Sequence, residues 1–133
     1  MTSASSAVVR SNRILLIEDE PAVAAFLRRA LEQRGYEVAA SASAAEALQM
    51  LALGEFRGVI SDFRTPGGIT GADVHDWLLR HRPELASHII FITGDMANRE
   101  TAELLEQSGT PFVEKPFRVH QLMAAVEKTI GRP

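Results

Sequence analysis

Apolar positions along the chain fall into two alternating patterns. RILLIED (Arg13 to Asp19) is a continuous apolar run ending in acids, the pattern of a strand buried on both faces. Val23, Phe26, Leu27, Ala30 and Leu31 then recur at helical spacing, one apolar stripe opened by Pro21 and stopped by Gly35. YEVAAS predicts a second strand. Ala44, Ala47, Leu48 and Leu51 form the next stripe, with Ser43 as N-cap and Gly54 as stop. RGVIS predicts strand three, and Val74, Trp77 and Leu78 mark a helix that ends before Pro83. HIIFIT predicts strand four, followed by a polar helix from about Ala97 to Gln107 carrying Leu104 and Leu105. TPFVEK predicts strand five, and Val119, Leu122, Met123, Val126 and Ile130 line the last helix. Strands alternating with helices in this way predict an α/β fold, a parallel sheet with helices on both faces.

Composition narrows the function more than the fold. The 133 residues suit one domain, residues 13–131, behind a small and polar tail over 1–12 that lacks the features of a secretory signal. Hydrophobic residues at 46% and charged residues at 23% are globular values, and no apolar run reaches the roughly 20 residues that span a bilayer. No cysteine is present, which removes thiolate metal sites and disulfides and fits a cytoplasmic protein. A net charge of −3, with no basic stripe on any helix, argues against direct nucleic-acid binding.

In a doubly wound sheet, ligands bind beyond the carboxyl ends of the strands. Glu18, Asp19 and Glu20 end strand one, Asp62 ends strand three, Thr93 ends strand four, and Lys115 ends strand five. Singly, each has an ordinary reading as a helix cap or a solvated charge. Together on one edge they describe a chemistry. Clustered carboxylates bind a hard divalent cation such as Mg²⁺ through oxygen. With that charge in place the Asp62 carboxylate can attack phosphorus, while Thr93 and Lys115 hold phosphoryl oxygens. The glycines after Asp62 let backbone approach closely.

These segments, LLIEDEP, VISDFRTPGGITG, IFITGD and FVEKPF, resemble in order the four signatures of response-regulator receiver domains of two-component signalling, and the likeness runs from Arg13 to Ile130. The resemblance implies a flavodoxin-like, five-stranded doubly wound sheet of order 2-1-3-4-5. It assigns Asp62 as phosphoacceptor, Glu18 and Asp19 as the acidic pair around Mg²⁺, and the Arg64 backbone carbonyl as a further ligand. Thr93 becomes the switch hydroxyl, Lys115 the phosphate-sensing lysine and Phe112 the switch aromatic. The implied donor is a histidine kinase or a histidine phosphotransfer protein. The implied output is an altered face of helix four, strand five and helix five, offered to an unidentified downstream protein or to a second copy. Such a module phosphorylates and dephosphorylates itself and is not otherwise an enzyme.

The chain departs from the family's commonest pattern at Thr65, in a loop one residue longer before Gly71, at Phe112 in place of tyrosine, and above all at Arg64. Arg64 and Asp95, two residues past Asp62 and Thr93, either pair across the pocket mouth and restrict the attacking water or stand as two solvated charges. His75, His81, His88 and His120 lack metal-ligand spacing and are expected at the surface. Trp77 is expected in the core or half-buried. An aspartyl-nucleophile phosphatase would want a second aspartate where Arg64 stands, and a flavodoxin-like cofactor binder would want glycines where EDEPAV stands. Met1 and the polar tail favour a complete single-domain regulator or phosphorelay intermediate over a receiver module excised from a hybrid histidine kinase.

Overall fold

A computed structural model describes residues 11–64, 68–94 and 96–133. Five parallel strands, β1 (Arg13–Ile17), β2 (Glu37–Ser41), β3 (Gly58–Asp62), β4 (Ile89–Thr93) and β5 (Phe112–Glu114), form one sheet in the order 2-1-3-4-5. The main helices are α1 (Pro21–Gln33), α2 (Ala44–Leu53), α3 (Gly71–His81), α4 (Arg99–Ser108) and α5 (Val119–Thr129), with a single further turn at Pro83–Ala86. The expected order and helix arrangement are those observed.

The continuous apolar runs are explained by burial on both faces. Every residue of β4 is buried, as are four of five in β1 and β3, whereas the edge strands β2 and β5 are broken by exposed positions. Successive side chains point to opposite faces. Leu15, Ile17, Val59, Ile89 and Phe91 therefore pack with α2, α3 and α4 through Ala47, Leu51, Val74, Leu78 and Leu105. Ile14, Leu16, Ile60, Ile90 and Ile92 pack on the other face with α1 and α5 through Leu27, Leu31, Leu122, Met123 and Val126.

Local signals fix the helix starts. Ser43 Oγ accepts from the Glu46 N–H, and Thr70 and Asp73 form a reciprocal capping box at α3. Asn98 Oδ1 accepts from the Thr101 N–H at 3.0 Å, which starts α4 two residues later than its apolar pattern suggests. Phe26 departs from the expected stripe, being 53% exposed. It lies one residue, about 100° of helix rotation, from the buried Leu27, which carries it onto the flank. Trp77 is half-buried, tilted over His81 with ring centroids 4.8 Å apart. Of the expected tail, residues 1–10 lie outside the described residues. Asn12 is anchored, its side chain accepting from Arg57 and its carbonyl from the Glu37 N–H.

Candidate functional site

The parallel register brings four strand ends to one edge. Ile17 pairs with Ser61, Asp62 with Ile92, and Thr93 with Glu114, so the residues next along each chain gather above the sheet. Glu18 continues from β1, its N–H donating to Ser41 O at 2.9 Å. Its side chain turns inward and is buried, while its neighbour Asp19 is exposed. Asp62 closes β3, and the Arg64 N–H reaches its Oδ1 at 3.4 Å. The Lys115 N–H bonds Thr93 O at 2.7 Å, locking the lysine backbone to the end of β4, and Thr93 is buried. The Lys115–Pro116 peptide is cis.

One ammonium serves two carboxylates. Lys115 Nζ lies 3.5 Å from Glu18 Oε1 and 3.5 Å from Asp62 Oδ2. Burial raises the pKa of Glu18, and the Asp62 charge adds to it against a backbone bond from Glu20. Burial also raises Asp62, opposed by Lys115. Burial alone would lower Lys115, but the charges of Asp62 and Glu18 outweigh it and hold its pKa up. The opposite balance follows from exposure. The lysine side chain keeps 27% of its surface in water, against 13% for Asp62 and 1% for Glu18.

These residues fit a hard cation. Carboxylate oxygens of Glu18, Asp19 and Asp62 lie within 4.8 Å of one another. Glu18 Oε1 is a buried oxygen without a hydrogen bond, facing the Lys115 ammonium at ion-pair distance only. An all-oxygen set with the Asp19 carboxylate open to solvent matches the ligand preference of Mg²⁺.

A raised carboxylate pKa means that the folded state holds its proton to higher pH than the unfolded chain. Stability therefore falls as pH rises through that window. Asp62→Asn removes the penalty. At pH 7 this variant is expected to melt a few degrees above the parent, the gap closing below about pH 4, where unfolded carboxylates are protonated. Thermal melts at the two pH values check it, and an Asp62→Asn protein that melts lower at pH 7 contradicts the assignment of burial as the dominant influence.

The rim is built from the loop after β3. The Gly71 N–H donates to Phe63 O at 2.8 Å, and a Cβ on Gly71 would stand 2.8 Å from the Phe91 ring. Only glycine lets α3 begin this close to the sheet. Arg64 and Thr70 pair as an isolated antiparallel bridge, closing the loop at its stem. The Arg64 guanidinium reaches α4, where Nε and a terminal nitrogen donate to Thr101 Oγ1 at 3.1 and 2.6 Å. Thr101 is fully buried and was not legible beforehand, since a threonine in a polar helix carries no pattern. Asp95, the candidate partner of Arg64, lies outside the described residues, as do residues 65–67. Phe112 faces outward, 37% exposed. Among the expected surface histidines, His75 is half-buried, 3.5 Å from Thr110 Oγ1 and edge-on to Phe91.

Residues 14–127 match the model of the response regulator receiver domain. The nisin biosynthesis regulatory protein NisR of Lactococcus lactis subsp. lactis is 28% identical over 120 residues, covering 90% of this chain and 51% of that protein. The sensor kinase CckA of Brucella abortus (strain 2308) is 33% identical over 124 residues, covering 92% of this chain and 13% of that one. The chain thus spans about half the length of the first regulator and a small part of the kinase. A receiver domain protein from Methanospirillum hungatei JF-1, described as CheY-like, shares the fold with a TM-score of 0.79 at 24% identity, covering 92% of this chain and 94% of that one. The matched residues run from β1 into α5 and take in every strand end that builds the acidic pocket, and on that ground the chain belongs to the response regulator receiver domain family.

Proposed function

We propose that residues 13–131, behind the tail at 1–12, accept a phosphoryl group on Asp62 from the phosphohistidine of a histidine kinase or a histidine phosphotransfer protein. The observation that carries this reading is one carboxylate, Asp62, placed within 4.8 Å of two others and 3.5 Å from a lysine at the carboxyl edge of the sheet. Mg²⁺, held by Glu18, Asp19, Asp62 and the Arg64 carbonyl, supplies charge neutralisation for the incoming phosphoryl group. An Asp62 carboxylate oxygen attacks phosphorus in line. The oxygen–phosphorus bond forms as the phosphorus–nitrogen bond of the donor breaks, and the imidazole nitrogen leaves with the electron pair. Lys115 turns its ammonium to one phosphoryl oxygen and Thr93 donates its hydroxyl to another. Phe112 then moves inward from its exposed position, altering the face of α4, β5 and α5 that a downstream protein or a second copy reads.

The domain serves as the receiver of a response regulator or as a phosphorelay intermediate. Among the described residues no helix is long and apolar enough to cross a membrane. A second reading, a receiver module within a hybrid histidine kinase, draws support from the 33% identity to part of a sensor kinase. Incubation with Mg²⁺ and a small phosphodonor such as acetyl phosphate should give a phosphoryl adduct by intact mass. The adduct should vanish in Asp62→Ala and when the metal is chelated. An adduct that survives Asp62→Ala, or none with any donor, sinks the proposal.

A further inference from the structure

Residues that stand directly before the first three strands meet at the carboxyl end of α5. Asn12 precedes β1, Tyr36 precedes β2 and Arg57 precedes β3. The buried Tyr36 donates its hydroxyl to Gly131 O, and Arg57 Nε donates to Ile130 O at 3.4 Å. Arg57 is itself held, its Nη1 donating to Asn12 Oδ1 at 2.8 Å. Ile130 is buried so closely on the start of β3 that a Cβ on Gly58 would stand 2.6 Å from its side chain. The amino end of the helix lacks such fastening. No residue from Pro111 to Gln121 is buried. Among the described residues, those from Pro116 to Gln121 make no hydrogen bond or ion pair to another strand or helix; the Arg118 N–H donates to Gln121 Oε1 within the stretch itself. Lys115, the cation of the pocket, directly precedes it.

We infer that α5 is hinged at its carboxyl end. Tyr36 and Arg57 clasp residues 130 and 131 to the amino edge of the sheet, and a displacement that starts at the pocket swings the amino end of the helix and fades towards the clasp. The displacement rests on Asp62 accepting a phosphoryl group; the clasp does not. When the Lys115 ammonium turns to that group, the exposed stretch after it has few contacts to resist and moves with it. Segments with little buried surface yield first, and a well-bonded end yields last. Two hydrogen bonds and a buried isoleucine act on the short segment that closes α5, so the helix turns about that segment. Its amino half registers the state of the pocket and its last turn does not.

Residue-resolved amide hydrogen exchange along α5, with and without Mg²⁺ and beryllofluoride as a phosphoryl mimic, tests both halves. The N–H groups of Ile130 and Gly131 both donate to Val126 O and report on the clasped end. Tyr36→Phe keeps the buried ring and removes only the hydroxyl. It should raise resting exchange at Ile130 and Gly131 by roughly fivefold, the scale of one neutral hydrogen bond, and leave Ala124 as in the parent. Arg57→Leu should do the same. In the parent, beryllofluoride should change exchange at 122–124 and leave Ile130 and Gly131 unaltered. In the Tyr36→Phe, Arg57→Leu double variant the change should spread to those two amides. Parental resting exchange at Ile130 and Gly131 in both single variants overturns the clasp. An equal response at both ends of α5 in the parent overturns the hinge, as does a response still confined to 122–124 in the double variant. If no protein responds while the variants still loosen Ile130 and Gly131, the phosphoacceptor reading fails and the clasp stands.

Discussion

Lys115→Met is expected to lower stability at pH 7 by about 2 kcal/mol, because it strips the counter-charge from two buried carboxylates at once. Breaking a fully buried ion pair costs roughly 3–5 kcal/mol. The lysine side chain keeps about a quarter of its surface in water, so the lower figure applies. The pH dependence identifies the origin of the loss. The lysine pKa is raised in the folded protein, so its contribution is complete below its unfolded value and disappears as pH climbs through the folded one. On the acid side, Glu18 and Asp62 take up protons at higher pH than ordinary carboxylates, and the contribution disappears as they do. The gap between parent and variant should therefore form a plateau across neutral pH and narrow towards pH 4. Urea titrations at several pH values would show it; equal midpoints at pH 7 would mean that Lys115 does not balance the carboxylates. Under the proposed chemistry, adduct formation should also slow by about 10²-fold, as for other single donors to developing charge.

Phe91→Ala should be more damaging to the fold, at about 4 kcal/mol. The ring is fully buried on β4 and meets Phe63 edge to face, centroids 5.2 Å apart at 76°. Truncating a buried phenylalanine costs roughly 3–5 kcal/mol through lost transfer energy and the cavity left behind. A domain of this size is stable by about 5–15 kcal/mol, so the variant would stand near its limit. The loss is not confined to the core. Phe91 is the surface against which Gly71 seats α3, and Phe63 directly follows Asp62. Phe91→Leu should recover most of the loss, and denaturant midpoints would rank the three proteins. A cost below about 1 kcal/mol would show that α3 slides in to fill the space.

The central strands were legible because burial on both faces forces an unbroken apolar run, and β1, β3 and β4 have no solvent side on which to place polar residues. The site was legible for a related reason, since polar groups at the ends of such runs stand out. What remained hidden depends on which way a side chain points or on contacts distant in sequence. Glu18 and Asp19 look alike in the chain, yet just past the end of β1 the first is buried and the second exposed. Phe26 fits helical spacing but sits on the flank of its stripe. Arg64 was recognisable as unusual from its position alone. Its partner Thr101 was not, since nothing local distinguishes that threonine from others in a polar helix.

The strand that delivers Lys115 is the weakest of the five. β5 has three residues, none of them buried, and it is hydrogen-bonded to β4 alone. Edge segments with little buried surface open at lower free energy than the sheet they border. Partial unfolding of the β5 margin would thus withdraw the ammonium from the pocket while Glu18, Asp19 and Asp62 stayed in place on the inner strands. The acidic half of the pocket rests on the inner strands of the sheet and its cationic half on a short edge. Fraying at that edge would therefore uncouple Lys115 from the carboxylates without opening the sheet that holds them.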